Sequence, residues 1–231
     1  MFLAIDIGNT NVDLGLFSEG ALIAHGKVPT YPPAGASGHS AQLQHFVEEH
    51  ASLPAVQYAL IASVVRDMGS LFVEHCQQQH IAAQQVDSSW DLGLHIDYDD
   101  PERVGIDRLL AAAAAFAAAQ TAVVVADAGT ALTVDAIDSD GTFLGGAIAP
   151  GLHMMLGALR AGTSLLPSIE LTQHAVLPGK NTPDGMRAGV LYGAAALVDG
   201  LCQRLVETLP ANAHSVLTGG DANRQIGRAH V

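Results

Sequence analysis

Basic residues are scarce in this sequence. Ten lysines and arginines stand against 23 aspartates and glutamates, which gives a formal net charge of −13, and the only lysines are Lys27 and Lys180. Proteins that bind nucleic acid normally carry a basic patch, and no segment of this chain has one. We therefore expect no nucleic-acid partner.

Cysteine is also rare. Cys76 and Cys202 are far apart and neither belongs to a CxxC pair, so the spacing offers neither a disulfide framework nor a zinc site. Eleven histidines are scattered along the chain without HExxH or HxH spacing. We expect them to be surface or loop residues and not metal ligands.

Long apolar runs are missing as well. The longest, residues 109–119, is too short and too rich in alanine to cross a bilayer, and residues 1–5 lack the basic start of a signal peptide. We expect a cytoplasmic protein without a membrane partner. Hydrophobic residues make up 49% of the chain and charged residues 14%, which indicates a folded protein with a substantial core.

What the sequence does contain is an alternation of strand and helix patterns, which is typical of an α/β protein. In the first half we predict strands at residues 2–6, 12–17, 21–28, 58–65 and 81–86, and helices at 39–51 and 67–80. A longer helix is predicted from Pro101 to about residue 119, with Asp100 as its N-cap.

The second half repeats the order of the first. Strands are predicted at residues 122–126, 132–137, about 141–150 and 214–218, with helices at about 151–161 and 184–208. This weak internal repeat predicts two similar lobes, residues 1–115 and 116–231, that face each other across a cleft.

Each half opens with an apolar strand that ends on an aspartate and enters a glycine turn, "DIGNT" at Asp6 and "DAGT" at Asp127. A carboxylate on a buried strand is costly unless its charge is needed. The glycines allow a ligand to approach the backbone, turn amides and threonine hydroxyls can cradle anionic oxygens, and the carboxylate suits Mg²⁺.

One such turn is weak support, because aspartate and glycine are common turn residues. Two at matching positions favour phosphate binding. No GxxxxGK[ST] segment occurs, which excludes a P-loop.

A second constellation lies in "DPERVGIDRLLAAAAAFAAA", where Asp107 and Arg108 are the only charged residues after Val104. On so apolar a helix they must be paired or face a cavity. Two interpretations stay open. Arg103 and Asp107 could form an ordinary i,i+4 pair; alternatively, Asp107 could be the base that accepts a hydroxyl proton in phosphoryl transfer, with Arg108 binding an anionic group.

Taken together, the motifs resemble the type III pantothenate kinases of the acetate and sugar kinase/Hsp70/actin superfamily. The motifs occur in the family's order over roughly residues 1–222: DIGNT at 6–10, GIDR at 105–108, DAGTA at 127–131, Gly145-Gly146 with Pro150-Gly151, Gly162-Thr163 with Leu166-Pro167, and Asn181-Thr182. The resemblance implies two ribonuclease H-like lobes, a duplicated actin-like fold, around a nucleotide cleft. It also implies ATP-dependent phosphorylation of pantothenate to 4'-phosphopantothenate, the first step of coenzyme A biosynthesis.

The resemblance further implies individual roles. The ATP-binding residues would be Asp6, Ile7, Gly8, Asn9, Thr10, Asn11, Val12, Asp13 and Thr130. The pantothenate contacts would be Tyr98, Gly105, Ile106, Asp107, Arg108 and Thr182, with Asp107 as the catalytic proton acceptor. Asp127 would bind a monovalent cation, potassium or ammonium, where its position alone suggested Mg²⁺. The family is dimeric, so a homodimer is expected.

Several alternatives remain. Tyr98 could be an ordinary half-exposed aromatic residue, and Thr182 could simply cap a helix that begins near Pro183. The protein could be a non-catalytic accessory or regulatory protein on the same fold, although its retention of Asp6, Asp107 and Thr130 argues against this. It could also be another small-molecule kinase of the superfamily, which the GIDR segment disfavours.

The end of the chain departs from the family pattern. Relatives usually continue from a segment like the one at residues 218–222 into another helix and a closing strand, whereas this sequence stops at "NRQIGRAHV". We therefore expect the last element of the second lobe to be missing, which would weaken the adenine side of the site.

Overall fold

The computed structural model describes residues 1–31, 36–51, 55–172 and 174–224. They cluster into two compact units: the first comprises Met1–Trp90 and Val104–Asp107, and the second comprises Asp91–Arg103 and the chain from Arg108 onwards. Each unit holds one five-stranded sheet. The lobes at residues 1–115 and 116–231 stay a prediction.

The first unit contains the strands and helices expected for the first half of the chain, each within a few residues of its predicted bounds. Its elements are β1 (Phe2–Ile7), β2 (Asn11–Ser18), β3 (Ala21–Pro29), α1 (Ala36–His50), β4 (Tyr58–Ser63), α2 (Met68–Gln78) and β5 (Ala82–Gln85). The sheet order is β3-β2-β1-β4-β5. The first three strands are antiparallel, and β4 and β5 continue parallel to β1.

The alternation of side chains along β1 decides where its carboxylate lies. Leu3, Ile5 and Ile7 are buried in the core of the first unit, and Asp6 is exposed on the other face. Successive strand residues point to opposite faces, so a buried strand can end on an exposed aspartate. The expectation that Asp6 is a costly buried carboxylate is therefore wrong.

The second unit holds the other set of elements. They are β6 (His95–Ile96), α3 (Ile106–Ala119, of which the first two residues belong to the first unit), β7 (Val123–Ala128), β8 (Ala131–Ile137), β9 (Thr142–Pro150), α4 (Leu152–Ala161), α5 (Thr182–Val206) and β10 (His214–Thr218). The sheet order is β10-β7-β8-β9-β6. Only the two-residue strand β6 lacked a sequence prediction, because it is too short to show a pattern.

Four strands of each sheet share one topology, which confirms the internal repeat, whereas the fifth strand lies beside β4 in the first sheet and beside β9 in the second. The order β3-β2-β1-β4 of the first corresponds to β9-β8-β7-β10 of the second, and β10 lies parallel to β7 as β4 lies parallel to β1. Asp6 and Asp127 are each the penultimate residue of the strand that opens the repeat. The α/β fold class predicted from the sequence is thus observed twice in one chain.

The start of α3 differs from the prediction. Pro101–Arg103 forms a separate 3₁₀ turn, and α3 begins only at Ile106, after Gly105, a residue that disfavours helix. The Arg103 Nε donates to Asp100 Oδ2 at 2.8 Å. Because Arg103 and Asp107 do not share a helix, the interpretation of them as an i,i+4 helix pair is wrong.

Helix α5 corrects another expectation. Its 25 residues are long and apolar enough, by length and composition, to cross a membrane, although no such stretch was expected. In the second unit one side of the helix packs on β7 and β8, and 28% of its apolar window is buried. Its buried residues are Met186, Ala188, Val190, Leu191, Ala194, Val198 and Cys202.

The chain after β10 forms a 3₁₀ turn at Ala222–Arg224. The predicted loss of a last element concerns the segment that follows, and residues 225–231 lie outside the described residues.

Candidate active site

The first glycine turn joins β1 to β2. Its closing pair is Ile7 and Val12, and the Gly8 N–H donates to the Asn11 carbonyl at 2.9 Å. Asp6 stands directly opposite Asp13 across the hairpin. Directly opposed side chains of an antiparallel pair are neighbours on one face, so the hairpin brings two carboxylates together at the end of the sheet.

Next to these two carboxylates, on β3, lies the positively charged side chain of Lys27. Asp13 lies opposite Lys27 of β3, and its Oδ1 is 3.2 Å from Lys27 Nζ and 3.1 Å from His25 Nε2. His25 and Lys27 are exposed, and Asp13 is partly exposed at 35%. Ion pairs as solvent-accessible as these contribute little to stability.

The carboxylates of this turn fit Mg²⁺ carried by a nucleotide, because Mg²⁺ prefers one or two carboxylates completed by phosphate oxygens and water. Among the described residues, no group of three or more His, Cys, Asp or Glu side chains is close enough to hold a metal ion. The donor set therefore suits an ion that shares its coordination with phosphates.

Asp107 lies in the first turn of α3, where the helix dipole favours a carboxylate, and it is partly buried. A Cβ at Gly105 would stand 2.5 Å from Asp107 Oδ1 and 3.9 Å from Val64 Cγ1, so a side chain at position 105 would displace the carboxylate from its present position. Val64 follows β4, and its N–H donates to the Ile7 carbonyl at 3.1 Å. Within the first unit, the Asp107 segment thus lies at the sheet edge that carries the first turn.

Arg108 is buried, at 7% exposure, in the second unit. Its Nε donates to Asp135 Oδ2 at 3.1 Å, and its Nη2 donates to Asp135 Oδ1. Its Cζ also lies 5.5 Å from the centre of the Phe143 ring and 5.9 Å from that of Tyr98. The hydrogen bond to Asp135 raises the pKa of Arg108 against the opposing effect of burial, so the guanidinium stays charged.

Asp135 and Phe143 were missed by the sequence analysis. Asp135 is the single charged residue of β8, "ALTVDAI", and is 1% exposed. A lone carboxylate in an apolar strand was the signal that drew attention to Asp6 and Asp127, and the same signal was present at Asp135.

Tyr98 belongs to the cluster around Arg108. It is 39% exposed, which agrees with a half-exposed aromatic, but its ring also lies 6.3 Å from that of Phe143. It covers Gly145, whose φ is +84°, where a Cβ would come within 2.8 Å of Tyr98 Cε2. A side chain at position 145 would displace the ring.

The neighbouring glycine, Gly146, makes room for Asp135. Gly146 stands directly opposite Asp135 in the sheet, and a Cβ there would collide with the Val134 carbonyl. The Gly145-Gly146 motif is therefore required for the close packing of this cluster.

The second glycine turn joins β7 to β8, with the Gly129 N–H donating to the Ala131 carbonyl at 3.1 Å. Asp127 lies opposite Thr133 and beside Thr218 of β10. Gly219, at φ +99°, packs against the Asp127 carboxylate so closely that a Cβ there would overlap it. The half-buried carboxylate thus sits among backbone groups of two strands.

Two motifs from later in the chain meet at this second turn. The Asp221 N–H donates to the Ala128 carbonyl at 2.9 Å, and the Gly151 N–H donates to the Thr130 carbonyl at 3.1 Å. Segments 218–222 and 150–151, which the sequence singled out separately, are therefore parts of one structure around Asp127 and Thr130.

Thr182 is the first residue of α5 and is exposed. The N-cap is Asn181, whose Oδ1 accepts the Asp184 N–H at 2.9 Å, and the Asn181 Nδ2 donates to Asp184 Oδ2 at 2.7 Å. The interpretation of Thr182 as the helix cap is therefore wrong. Its role in substrate binding stays a prediction.

Two sheets that share a four-strand order define a duplicated actin-like α/β protein. Two solved structures are similar to the chain. One is component A of the (R)-2-hydroxyglutaryl-CoA dehydratase of Acidaminococcus fermentans, 19% identical with a TM-score of 0.53, covering 96% of this chain and 84% of that one. The other is MreB5 of Spiroplasma citri bound to ADP, 12% identical with a TM-score of 0.51, covering 96% and 85%. At these identities the likeness shows the fold alone.

The family follows from sequence similarity. The family model for type III pantothenate kinase matches residues 2–204. The type III pantothenate kinase of Anaeromyxobacter dehalogenans is 36% identical over 222 residues, covering 95% of this chain and 87% of the relative. That of Rubrobacter xylanophilus is 36% identical over 236 residues, covering 95% and 86%. The chain belongs to the type III pantothenate kinase family, and the protein is a kinase.

Proposed function

We propose that this kinase transfers the γ-phosphoryl group of ATP to the primary hydroxyl of pantothenate, giving 4'-phosphopantothenate, the first step of coenzyme A biosynthesis. The observation that carries the proposal is the placement of Asp107. A partly buried carboxylate stands in the first turn of a helix, at the same sheet edge as the Asp6 turn, in a chain of this family.

The proposed chemistry requires a base and an in-line displacement. The pantothenate hydroxyl oxygen forms a bond to the γ-phosphorus, and the bond from that phosphorus to the β–γ bridging oxygen breaks, so that ADP leaves with the electron pair. The hydroxyl proton passes to an Asp107 carboxylate oxygen and from there to solvent. Asp107 supplies general-base catalysis, worth typically about 10²- to 10⁴-fold.

On the nucleotide side we assign phosphate binding to the first turn, with Thr130 as a second ATP contact. Asp6 and Asp13 would hold Mg²⁺, which supplies charge neutralisation for the phosphates when bound. The turn amides between Gly8 and Asn11 would donate to phosphate oxygens. The row of charged side chains at Asp6, Asp13 and Lys27 supports this assignment.

On the acceptor side we assign pantothenate binding to Tyr98, Gly105, Ile106, Arg108 and Thr182. Asp135 takes two of the five N–H donors of Arg108 and fixes the plane of the guanidinium. We assign the pantothenate carboxylate to the guanidinium that this pair holds in place. Tyr98, partly exposed and adjacent to the guanidinium, would line the same pocket.

The remaining assignments concern the second turn and the setting of the protein. We propose a monovalent cation, potassium or ammonium, at Asp127, because a single carboxylate among backbone groups suits an ion of low charge. We also propose that the protein works as a homodimer in the cytoplasm, without nucleic-acid or membrane partners. The net charge of −13 supports the absence of a nucleic-acid partner.

The test is an assay of ADP release with purified protein, Mg-ATP, potassium or ammonium, and pantothenate. We expect pantothenate-dependent turnover, and we expect Asp107→Asn to lower kcat by about 10²-fold or more, the loss of a general base, with little change in Tm. Asp140→Asn is the matched control, since Asp140 lies exposed in the β8–β9 turn.

Three other outcomes would overturn parts of the proposal. Normal turnover of Asp107→Asn would remove Asp107 from the role of base. ADP release with a different alcohol, and none with pantothenate, would reassign the substrate. No ADP with any acceptor would favour an accessory protein on the same fold.

A further inference from the structure

Behind the first turn lies a residue that neither the motifs nor the proposed chemistry uses. Thr30 follows β3 directly and is fully buried, at 0% exposure. Its Oγ1 donates to the Gly8 carbonyl at 2.7 Å, and its backbone N–H donates to the Thr10 carbonyl at 3.0 Å. One buried residue thus ties down two carbonyls of a turn whose amides we assign to phosphate binding.

The consequence follows from the planarity of the peptide bond. In a trans peptide the C=O and the N–H of the next residue point in opposite directions. Since the carbonyls of Gly8 and Thr10 point to Thr30, the N–H groups of Asn9 and Asn11 point away from it. The buried threonine therefore holds two carbonyls, which would repel an anion, on its own side and leaves the two following amide donors on the opposite side.

Thr30 is itself held by α1. The Thr30 carbonyl accepts a hydrogen bond of 2.7 Å from His39 Nε2, so Nε2 carries the proton. His39 is 4% exposed, and its ring lies 5.3 Å from that of Phe72 in α2. Its Nδ1 has no hydrogen-bond partner within the described part of the chain. The hydrogen bond of the ring is therefore the one to Thr30.

We propose that Thr30, held by His39, is a positioning residue for the nucleotide: it fixes the first turn in the conformation that presents the Asn9 and Asn11 amides to phosphate oxygens. The proposal rests on the proposed function, in that this turn binds ATP. Thr30 is buried behind the turn and acts only through it. A threonine that merely filled the core would affect stability and leave nucleotide affinity unchanged.

The test compares Thr30→Val with the wild type. Valine keeps the shape and the backbone groups but removes the hydroxyl donor. We expect the Kd for a Mg-bound non-hydrolysable ATP analogue, measured by titration calorimetry, to rise about three- to tenfold, the net value of one hydrogen bond. The KM for ATP should rise in parallel, and the KM for pantothenate should change by less than about twofold.

Two further variants make the result specific. Thr30→Ser restores the hydroxyl and should bring the Kd back to within about twofold of the wild type. Thr208→Val is the control, because it removes a threonine-to-carbonyl bond of the same length, Thr208 Oγ1 to the Leu205 carbonyl at 2.7 Å, at an exposed position just after α5. We expect it to leave both KM values unchanged.

His39 keeps the proposal testable if Thr30→Val does not fold. His39→Leu removes the donor to the Thr30 carbonyl and should weaken the analogue in the same direction, by about two- to fivefold, within the range of one hydrogen bond. His39→Gln, which retains an N–H donor, should recover part of this loss.

The outcomes separate the two proposals. Unchanged analogue Kd in Thr30→Val, or in His39→Leu where the first variant does not fold, would overturn the positioning role even if the wild type phosphorylates pantothenate. Weakened analogue binding in these variants, with no pantothenate-dependent ADP from the wild type, would support the positioning role and overturn the proposed substrate.

Discussion

The two glycine turns occupy the same place in the four-strand pattern that both sheets share, yet they differ in charge, in length and in the exposure of their aspartates. Asp6 faces a second carboxylate, Asp13, across the first hairpin, whereas Asp127 faces Thr133 across the second. Four residues separate Ile7 from Val12 in the first turn, and three separate Ala128 from Leu132 in the second. Asp6 is exposed, and Asp127 is half-buried under Gly219.

The difference is the basis of the separate roles that we propose for the two turns. The first turn has a doubled negative charge, exposure and the Thr30 support behind it, which suit a doubly charged metal carried by phosphates. The second has one carboxylate among backbone groups, which suits a weakly charged ion. A shared topology therefore does not imply a shared ligand, because the residue opposite the aspartate changes the charge of the site.

The contrast between buried and exposed ion pairs should produce the largest effect. Asp135→Asn leaves the Arg108 charge buried without its carboxylate, which costs about 3–5 kcal/mol of unfolding free energy. Asp13→Asn removes exposed pairs with Lys27 and His25, which costs about 0–1 kcal/mol. Urea denaturation followed by circular dichroism measures both losses, and equal losses would mean that the Arg108 pair is not held as tightly as its burial indicates.

The two aspartates should differ in the ion that they control. We expect Asp6→Asn to lower kcat/KM about 10- to 100-fold, a loss typical of disturbed metal sites, and to move the Mg²⁺ midpoint upwards. Asp127→Asn should instead weaken the dependence on potassium and leave the Mg²⁺ midpoint in place. ADP release across both ion titrations checks this, and an exchange of the two patterns would reverse the assignments.

Each unit has one buried cysteine in its core, so thiol measurements allow the two cores to be compared. The expected effect on stability is smaller than in the predictions above. Burial raises the pKa of Cys76 and of Cys202 to about 11 from the ordinary value of 9.0. The thiol pKa is higher in the folded protein than in the unfolded protein, so the neutral thiols favour the folded state. Their contribution to the free energy of unfolding is complete below pH 9 and is lost as the pH rises towards 11.

Thiol titration of the folded protein at pH 8 should therefore be slow, with Cys202 at 7% exposure reacting before Cys76 at 0%. Denaturant melts between pH 8 and 10 should show stability falling with pH. Rapid reaction of both thiols in the folded protein would contradict the burial of the two cores.

Much of the fold could be predicted because its signals are local. Apolar runs, their spacing and the two glycine turns predicted the strands and the repeat, which the sheets confirm. The exposure of Asp6 was also readable, since Leu3, Ile5 and Ile7 alternate with it, but the strand was interpreted as a uniformly buried run. The N-cap was placed one residue late, at Thr182 in place of Asn181, because both residue types can cap a helix.

The missed residues depend on contacts between distant segments. Arg108 and Asp135 are 27 positions apart, and the Thr30 hydroxyl bonds to a carbonyl 22 positions away. No periodicity or turn chemistry links such positions before the sheets bring them together. The carboxylate in β8 could have been noticed, whereas a threonine after a strand has no distinguishing mark.

The path of the chain has a consequence for dissecting the protein. It passes from one unit to the other after Trp90, after Arg103 and again after Asp107, three times in all. No single cleavage point or split-gene design can therefore separate the halves into self-contained fragments, and a cut after residue 107 would sever α3 inside its first turn. If the protein were expressed as two polypeptides cut at one of these points, one polypeptide would still have to supply a short segment to the unit formed by the other.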